Sequence, residues 1–322
     1  MGRITLILLL VFVCSCEKVI GQETGYGPGH QTMVMHNPAF AGSEYRGTMR
    51  LSYMNFLPGN NYNFHSFYIS YDSYYEALHG GTGVFLASDR IGSIMSDLRG
   101  GLTYSYFLQA GKELYINAGL SAAFFRRGLS YSDAVFPDQI DAMGGISLPT
   151  ADLLNSGNRT VFDVGTGMMF IYKNITGGLS VMHLSEPDIA ERSSPGQKLR
   201  RKMLLHFSAD LGIKRWSGLR LVPTGFFEIQ GSYNSFAAGA VLESRNVSLS
   251  GMMIRGNSGG IDGHAGFCVK LEGMSLFYSY RFNLASTHGV TPFSLMHQTG
   301  LNFSFNNVEK RIKGKTINAP DM

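Results

Sequence analysis

Histidine is the residue type here that most readily suggests a metal site, because imidazole is a common ligand for transition metals. The nine histidines are His30, His36, His65, His79, His183, His206, His264, His288 and His297. No two stand four residues apart, as on one helix face, or two apart, as on one strand face. Two Gly-Thr-Gly triplets, at 81–83 and 165–167, lack the following helix and acidic partner of a nucleotide-binding loop. The sequence therefore predicts neither a metal ion nor another cofactor.

Hydrolysis and calcium binding are the other chemistries that the residue types suggest. Serine and histidine are abundant, but no nucleophile elbow, the strand–turn–helix that presents a catalytic serine, is visible. Asp133, Asp138 and Asp141 cluster around Pro137, but their spacing is not that of a calcium-binding EF-hand loop. We interpret this cluster as a solvated loop, and the sequence predicts that the protein is not an enzyme.

The elements that must position these side chains have the pattern of β-strands. Charged residues make up 16% of the chain, compared with about 25% in typical soluble domains. Residues 97–109 alternate between an apolar and a polar face. The apolar face carries Leu98, Leu102, Tyr104, Tyr106 and Leu108, and the polar face carries Arg99, Thr103, Ser105 and Gln109. Strands of this length with alternating faces are typical of membrane barrels, whose side chains point in turn to lipid and to the lumen.

About fourteen such strands are predicted, and a single-chain bacterial barrel has an even number. They span residues 45–56, 62–73, 80–88, 97–109, 113–126, 159–172, 175–184, 201–214, 218–230, 235–243, 246–255, 261–271, 274–282 and 295–305. Every second connection is short, and the alternate connections include the three longest, 127–158, 185–200 and 283–294. Periplasmic turns and extracellular loops show this asymmetry. The sequence therefore predicts an all-β, transmembrane outer-membrane β-barrel of about 14 antiparallel strands over residues 45–305.

The N-terminus has the pattern of an export signal. Arg3 precedes an apolar run over residues 4–13, which is too short to span a bilayer. Residues 1–21 are predicted to be a cleaved signal peptide. An alternative stays open, because Val13-Cys14-Ser15-Cys16 fits a lipobox that would make Cys16 a lipidated N-terminus.

Two further segments flank the predicted barrel. Residues 22–44 form an N-terminal segment that we place in the periplasm, and residues 306–322 form a basic C-terminal tail. The formal net charge of the whole chain is only +4, and the charges are too dispersed to indicate nucleic-acid binding.

Five motifs carry a resemblance to a known family. They are Asn37-Pro38-Ala39-Phe40-Ala41-Gly42, Ser88-Asp89-Arg90-Ile91-Gly92, Leu102-Thr103-Tyr104-Ser105-Tyr106, Gly178-Leu179-Ser180-Val181-Met182-His183-Leu184 and Phe277-Tyr278-Ser279-Tyr280-Arg281-Phe282. Through them the chain resembles the PorP/SprF family of type IX secretion outer-membrane proteins of Bacteroidetes. It departs from the family pattern at Met182, where the family has proline, and at Arg281, where the family has an acidic residue. The chain also runs well past Phe305, the end of the last predicted strand.

The resemblance implies a component of the type IX secretion system. Such a protein would lie in membrane lipid and help to secrete or anchor large surface cargo, including gliding adhesins. Its implied partners are periplasmic and outer-membrane components of the secretion system and the secreted cargo itself.

Two segments are candidates for docking a secretion partner. Pro38 fixes its own φ angle and favours an extended Asn37, and Gly42 permits a positive φ, so residues 37–43 should form a shaped turn before the first strand. The candidate docking residues are Asn37, Pro38, Ala39, Phe40 and Gly42, together with Lys310, Arg311, Lys313 and Lys315 in the tail. The alternatives are a structural turn or plug for the first set and a solvated end for the second.

A second functional hypothesis is a transporter similar to the fatty-acid porins, with a path for hydrophobic small molecules. The two hypotheses differ in the lumen. A transporter needs a continuous path through the barrel, whereas a secretion accessory protein tolerates a plugged lumen.

Overall fold

The computed structural model describes residues 32–58, 63–131, 135–140, 157–189, 197–213, 218–257, 260–285 and 296–305. Its strands are β1 (Gly47–Phe56), β2 (Phe64–Tyr75), β3 (Gly80–Ile91), β4 (Met95–Gln109), β5 (Leu114–Leu129), β6 (Gly157–Tyr172), β7 (Ile175–Met182), β8 (Lys202–Ala209), β9 (Leu211–Gly212), β10 (Arg220–Gln230), β11 (Tyr233–Glu243), β12 (Val247–Gly256), β13 (Ile261–Leu271), β14 (Met274–Ala285) and β15 (Met296–Phe305). The predicted signal peptide with Cys16, the first part of the N-terminal segment and the C-terminal tail lie outside the described residues.

The described helices are all short. One α-helix covers Met33–His36, and 3-10 turns cover Pro38–Phe40, Glu76–Leu78 and Pro137–Gln139. Within the described ranges, no helix has the length and apolar character needed to cross a membrane.

The strands form one closed antiparallel sheet. Apart from β8 and β9, each pairs with its neighbours in chain order, and β1 pairs with β15, from Gly47 opposite Phe305 to Phe56 opposite Met296. Both β8 and β9 pair with β10, so they share one position in the wall and the barrel has 14 strands, as predicted. Closure leaves no sheet edge in lipid, where an unpaired backbone amide has no water to bind.

The predicted strand 201–214 is interrupted at Asp210. The backbone N–H of Asp210 donates to the carbonyl of Asn174 at 2.8 Å, and its side chain accepts from Arg220 at 2.8 Å. These two bonds hold Asp210 between β8 and β9. Alternation of side chains cannot reveal such a break, because it depends on partners in two other strands.

The connections separate the two ends of the barrel. The connections after β1, β3, β5, β7, β10, β12 and β14 lie at one end, which we call the loop end. The chain enters β1 and leaves β15 at the opposite end, which we call the turn end, together with the other connections. The predicted long loops and short turns therefore lie at opposite ends.

The two faces of the wall differ in polarity. Outward side chains include Phe162, Leu102 and Leu120, which are 83%, 67% and 63% exposed. Inward residues of β4 include Arg99, Thr103 and Ser105, which are all buried, as the alternation of residues 97–109 predicted. The outward apolar band faces lipid, and the inward polar residues face the lumen.

Candidate functional site: a plug segment in the lumen

Residues Thr32–Glu44 lie inside the barrel, and we call them the plug segment. Every one of them is buried except Phe40, which is half-buried. Their partners are inward residues of the seven consecutive strands β2–β8. The chain thus places its N-terminal segment against half of the wall before it begins the first strand.

The Asn37-Pro38 pair shapes the segment, as the sequence predicted. Asn37 has an extended backbone, with φ −145° and ψ 110°, and its side chain caps the 3-10 turn Pro38–Phe40. The cap is a hydrogen bond from the Ala39 N–H to Asn37 Oδ1 at 2.9 Å. Gly42 has φ +69°, in the left-handed region that favours glycine. The motif is therefore a compact turn whose form depends on its own residues.

Asn37 also joins the turn to the wall. Its Nδ2 donates to the carbonyl of Met168 on β6 at 3.3 Å and lies 3.2 Å from His206 Nε2 on β8. On the other side of the turn, the hydroxyl of Ser105 on β4 donates to the Ala39 carbonyl at 3.1 Å. An unsatisfied buried polar group costs about 1–3 kcal/mol. These bonds avoid that cost, so they stabilise the buried turn in this position.

Two more bonds hold the ends of the segment. The Ser180 hydroxyl on β7 donates to the His36 carbonyl at 2.6 Å. The Gly42 N–H donates to Asp72 Oδ2 on β2 at 2.9 Å. The plug segment is therefore anchored by backbone groups that the wall satisfies at both ends.

Glycines in the wall leave the space that the plug segment fills. A Cβ atom at Gly81, Gly119 or Gly167 would collide with Ala41 and Gly42, with the Pro38-Ala39 backbone, or with the Asn37 side chain, respectively. No pattern in the sequence distinguishes these glycines from the other glycines of the chain. Their role appears only when the strands and the plug segment are brought together.

A cluster of buried charged residues lies at the end of the plug segment, where the segment meets β1. Arg50 pairs with Glu44 and, at 2.5 Å, with Asp72. Arg46 also pairs with Glu44 at 2.7 Å. Burial by itself would raise the pKa of Glu44, but the charges of Arg50 and Arg46 and hydrogen bonds from Arg46 and Thr48 outweigh it, so the pKa is lowered.

Aromatic side chains gather beside this cluster at the turn end. The Tyr45 ring lies 4.8 Å from the Tyr74 ring and 5.6 Å from the Phe107 ring, measured between centroids. All three are half-buried. This group, which we call the aromatic collar, lies where the chain passes from the plug segment into β1.

Three of the other four resemblance motifs contribute paired polar side chains to the lumen. Asp89, from the motif at 88–92, pairs with Arg99 at 2.5 Å. His183, from the motif at 178–184, lies 2.7 Å from Asp163. Arg281, at the position where the family has an acidic residue, donates to the carboxylate of Asp262 at 2.9 and 2.6 Å.

One cavity beside the plug segment is small. A cavity of about 30 Å³ lies between the Met35-His36 pair and the wall residues Phe125 and Lys202. That is the share of liquid volume of about one water molecule. In the described ranges, no three His, Cys, Asp or Glu side chains come close enough to hold a metal ion. This arrangement can hold a peptide segment and obstruct passage.

The candidate docking residues divide into two groups. Asn37, Pro38, Ala39, Phe40 and Gly42 lie together in the plug segment, where a partner outside the barrel does not reach them while the segment stays in place. Lys310, Arg311, Lys313 and Lys315 lie outside the described residues. Docking by either group stays a prediction.

The family comparison agrees with the motifs. The model of the family described as type IX secretion system membrane protein PorP/SprF matches residues 30–298, a range that includes the plug segment. No curated relative matches the chain by sequence.

Solved structures similar to this chain are outer-membrane barrels. The CymD monoaromatic hydrocarbon channel has a TM-score of 0.55 and 12% identity, over 88% of this chain and 95% of that one. The Pseudomonas putida toluene transporter TodX has a TM-score of 0.50 and 10% identity, over 89% of this chain and 96% of that one. The Acinetobacter baumannii outer membrane protein Omp33 has a TM-score of 0.47 and 10% identity, over 82% of this chain and 100% of that one. These likenesses concern the fold alone.

Proposed function

Because the chain belongs to the PorP/SprF family of type IX secretion system membrane proteins, we propose that it acts as a plugged accessory barrel that assists the secretion or surface anchoring of large cargo, such as gliding adhesins. The protein is an outer-membrane β-barrel. The family and fold suggest a non-enzymatic secretion or transport component.

The observation that carries this proposal is the plug segment. Conduction of a solute requires a continuous path, but Thr32–Glu44 occupies the lumen beside β2–β8. It is held there by hydrogen bonds to polar groups of the wall and by close contacts with wall glycines, which favour a stable plug over an open pore. A barrel that neither conducts nor catalyses acts by binding, and secretion partners are the binding partners that the family suggests.

We place the contact with periplasmic secretion components at the turn end. The chain passes there from the plug segment into β1, beside the half-buried aromatic collar of Tyr45, Tyr74 and Phe107. A partner at this end would meet the collar and the end of β15, from which the basic tail continues. In this proposal the Asn37-Pro38 turn supports docking by holding the plug segment in a fixed position next to the collar.

Deletion of the gene tests the proposed function. We expect the deletion strain to grow but to lose surface display of a specific large cargo, measured by protease accessibility on whole cells. Complementation with the wild-type gene should restore display. Normal surface display in the deletion strain would contradict the proposal.

A pair of variants tests the docking arrangement. Asn37→Ala combined with Pro38→Ala should weaken cargo display more than alanine substitution of the four basic residues at 310, 311, 313 and 315. Heat-modifiable migration on gels checks that each barrel has inserted, since a misfolded turn would imitate lost docking. A stronger defect in the tail variant would move the docking site to the tail.

The second candidate is a transporter of hydrophobic small molecules. Its support is the fold likeness to CymD and TodX, which are described as a monoaromatic hydrocarbon channel and a toluene transporter. This candidate predicts that the deletion strain keeps normal surface proteins but loses uptake of a hydrophobic nutrient. That result would replace the secretion proposal.

A further inference from the structure

Two arginines stand on the lipid-facing side of the wall near the loop end. Arg90 on β3 and Arg126 on β5 are both exposed. β4 lies between them, with Ser96 opposite Arg90 and Leu98 opposite Arg126. Since adjacent strands are about 4.8 Å apart and Arg126 is offset by two residues of about 3.3 Å each, the two arginines start from backbones roughly 12 Å apart.

Neither arginine has an ion-pair partner among the residues that the structure describes. Arg127, the next residue in sequence, points inward and donates to the Asp97 carboxylate at 2.8 and 2.6 Å. The charge of Arg127 is thus neutralised inside the lumen. The charges of the outward Arg90 and Arg126 are not neutralised by any residue that the structure describes. An anion from outside the chain can pair with them.

A groove adjoins Arg90. It has a volume of about 700 Å³ and is lined by Arg90, the turn after β3 and the facing ends of β4, β5 and β6. A Cβ atom at Gly128 would lie 2.8 Å from both Ser96 Oγ and Asn158 Oδ1. These two side chains therefore border the glycine, and their hydroxyl and amide groups can donate to an oxygen-rich ligand.

The position of the arginines along the barrel indicates the ligand. Toward the middle of the wall, the outward face becomes apolar, with Leu102, Leu120 and Phe162 strongly exposed. Arg126 stands two residues beyond Phe124 on the same face, between this apolar band and the loops. Lipid headgroups occupy the corresponding depth in a bilayer, and long basic side chains extend toward them.

We propose that Arg90 and Arg126, with Ser96 and Asn158, bind the phosphate of an outer-leaflet glycolipid headgroup such as phosphorylated lipid A. A guanidinium group matches phosphate oxygens with two parallel hydrogen bonds, and two such groups can share one phosphate. The acyl chains of the same lipid would lie over the apolar band. The inference rests on an orientation in which the loop end is extracellular.

The test is native mass spectrometry of the full chain purified in detergent and mixed with lipid A that carries or lacks its phosphates. We expect the wild type to bind the phosphorylated form preferentially. Arg90→Gln combined with Arg126→Gln should lower this binding by about tenfold or more, since a charge-assisted bond of this kind contributes over a kcal/mol. Arg255→Gln, which removes an exposed outward arginine from β12, is the matched control and should bind as the wild type does.

Three outcomes would overturn the proposal. They are equal binding of phosphorylated and dephosphorylated lipid, equal loss in Arg255→Gln, and displacement of the lipid by inorganic phosphate at the same concentration. Heat-modifiable migration checks folding, and the two single variants replace the double variant if it does not fold. Because binding is measured on the purified protein, a negative result for secretion would leave this test unaffected.

Orientation is tested separately on whole cells. Cysteines placed at 133 or 287, in a background that lacks Cys268, should react with an impermeant thiol reagent. Cysteines placed at 111 or 272 should not. The reverse pattern would put the arginines in the inner leaflet and overturn the lipid assignment.

Discussion

The half of the wall formed by β2–β8 and the half formed by β10–β15 fill the lumen in different ways. In the first, the space next to Gly119 is taken by the Pro38-Ala39 backbone of the plug segment. In the second, the space next to Gly300 on β15 is taken by the Phe277 ring of the neighbouring strand β14. Gly119 is thus covered by a segment that precedes the barrel, whereas Gly300 is covered by the barrel itself.

Wall side chains also fill another part of the lumen in the second half. Met252 and Ile254 of β12 pack with Ala237 of β11, and Phe226 of β10 joins them. Side chains of the wall cannot leave the lumen without unfolding a strand, whereas the plug segment is held by a few hydrogen bonds and by shape. From this difference we expect that displacement of the plug segment opens the barrel on the β2–β8 side while the other side stays packed.

Gly119→Val should give the largest opening. Its side chain would collide with backbone atoms of Pro38 and Ala39, which cannot move unless the plug segment moves. Overpacking of this kind costs about 1–3 kcal/mol, so the population of displaced segments should rise by about tenfold or more. Ion conductance of the barrel in planar bilayers measures the change. Gly251→Val is the control, because a Cβ there has open space around it, and equal conductance in both variants would refute the plug.

Asn37→Ala should open the barrel to a smaller degree. It removes the cap on Ala39 and the bonds toward Met168 and His206, at a cost of about 1–3 kcal/mol, but it introduces no collision. Faster hydrogen exchange of residues 32–44 should accompany the rise in conductance. Gln298→Ala, which removes a buried bond of 3.0 Å to Ser52 in the other half of the lumen, should leave exchange in that segment unchanged.

Acidification should have a weaker effect on conductance. Because the pKa of Glu44 is lowered in the folded protein, its charge contributes stability above the ordinary value of 4.5. That contribution is lost as pH falls through the lowered pKa. The ion pairs of Glu44 lie only at the end of the plug segment that meets β1, so the loss should be modest. Conductance measured from pH 7 downward should rise only below about pH 4.5, and Glu44→Gln should remove this step.

Met252→Ala should leave conductance unchanged, although it destabilises the barrel. Removal of this buried side chain, only 4% exposed, leaves a cavity that costs about 2–5 kcal/mol. Denaturant unfolding in detergent measures the loss. Met253→Ala, at an outward residue that is 57% exposed, should unfold nearly as the wild type does. A conductance increase in Met252→Ala would show that the two halves are coupled.

Local patterns in the sequence were enough to predict the architecture of the barrel. Alternation of polar and apolar residues depends only on neighbours along one strand, so it predicted the strand number and the lipid-facing side of β4. The lengths of the connections predicted the grouping of the long loops. Pro38 and Gly42 restrict their own backbones, so the form of the turn at 37–43 was also predictable. The identity of the docking partner and the roles of the tail are not contained in such patterns.

The inward course of the plug segment is decided only by the tertiary structure. Asn37 meets partners that lie 131 and 169 residues further along the chain, and it meets them only because the sheet closes. The glycines at 81, 119 and 167 likewise make room for the plug segment, a shared role that is visible only in the folded protein. Periodicity encodes which way a strand faces, but the contents of the lumen depend on shape and hydrogen bonding among distant elements, which no local pattern records.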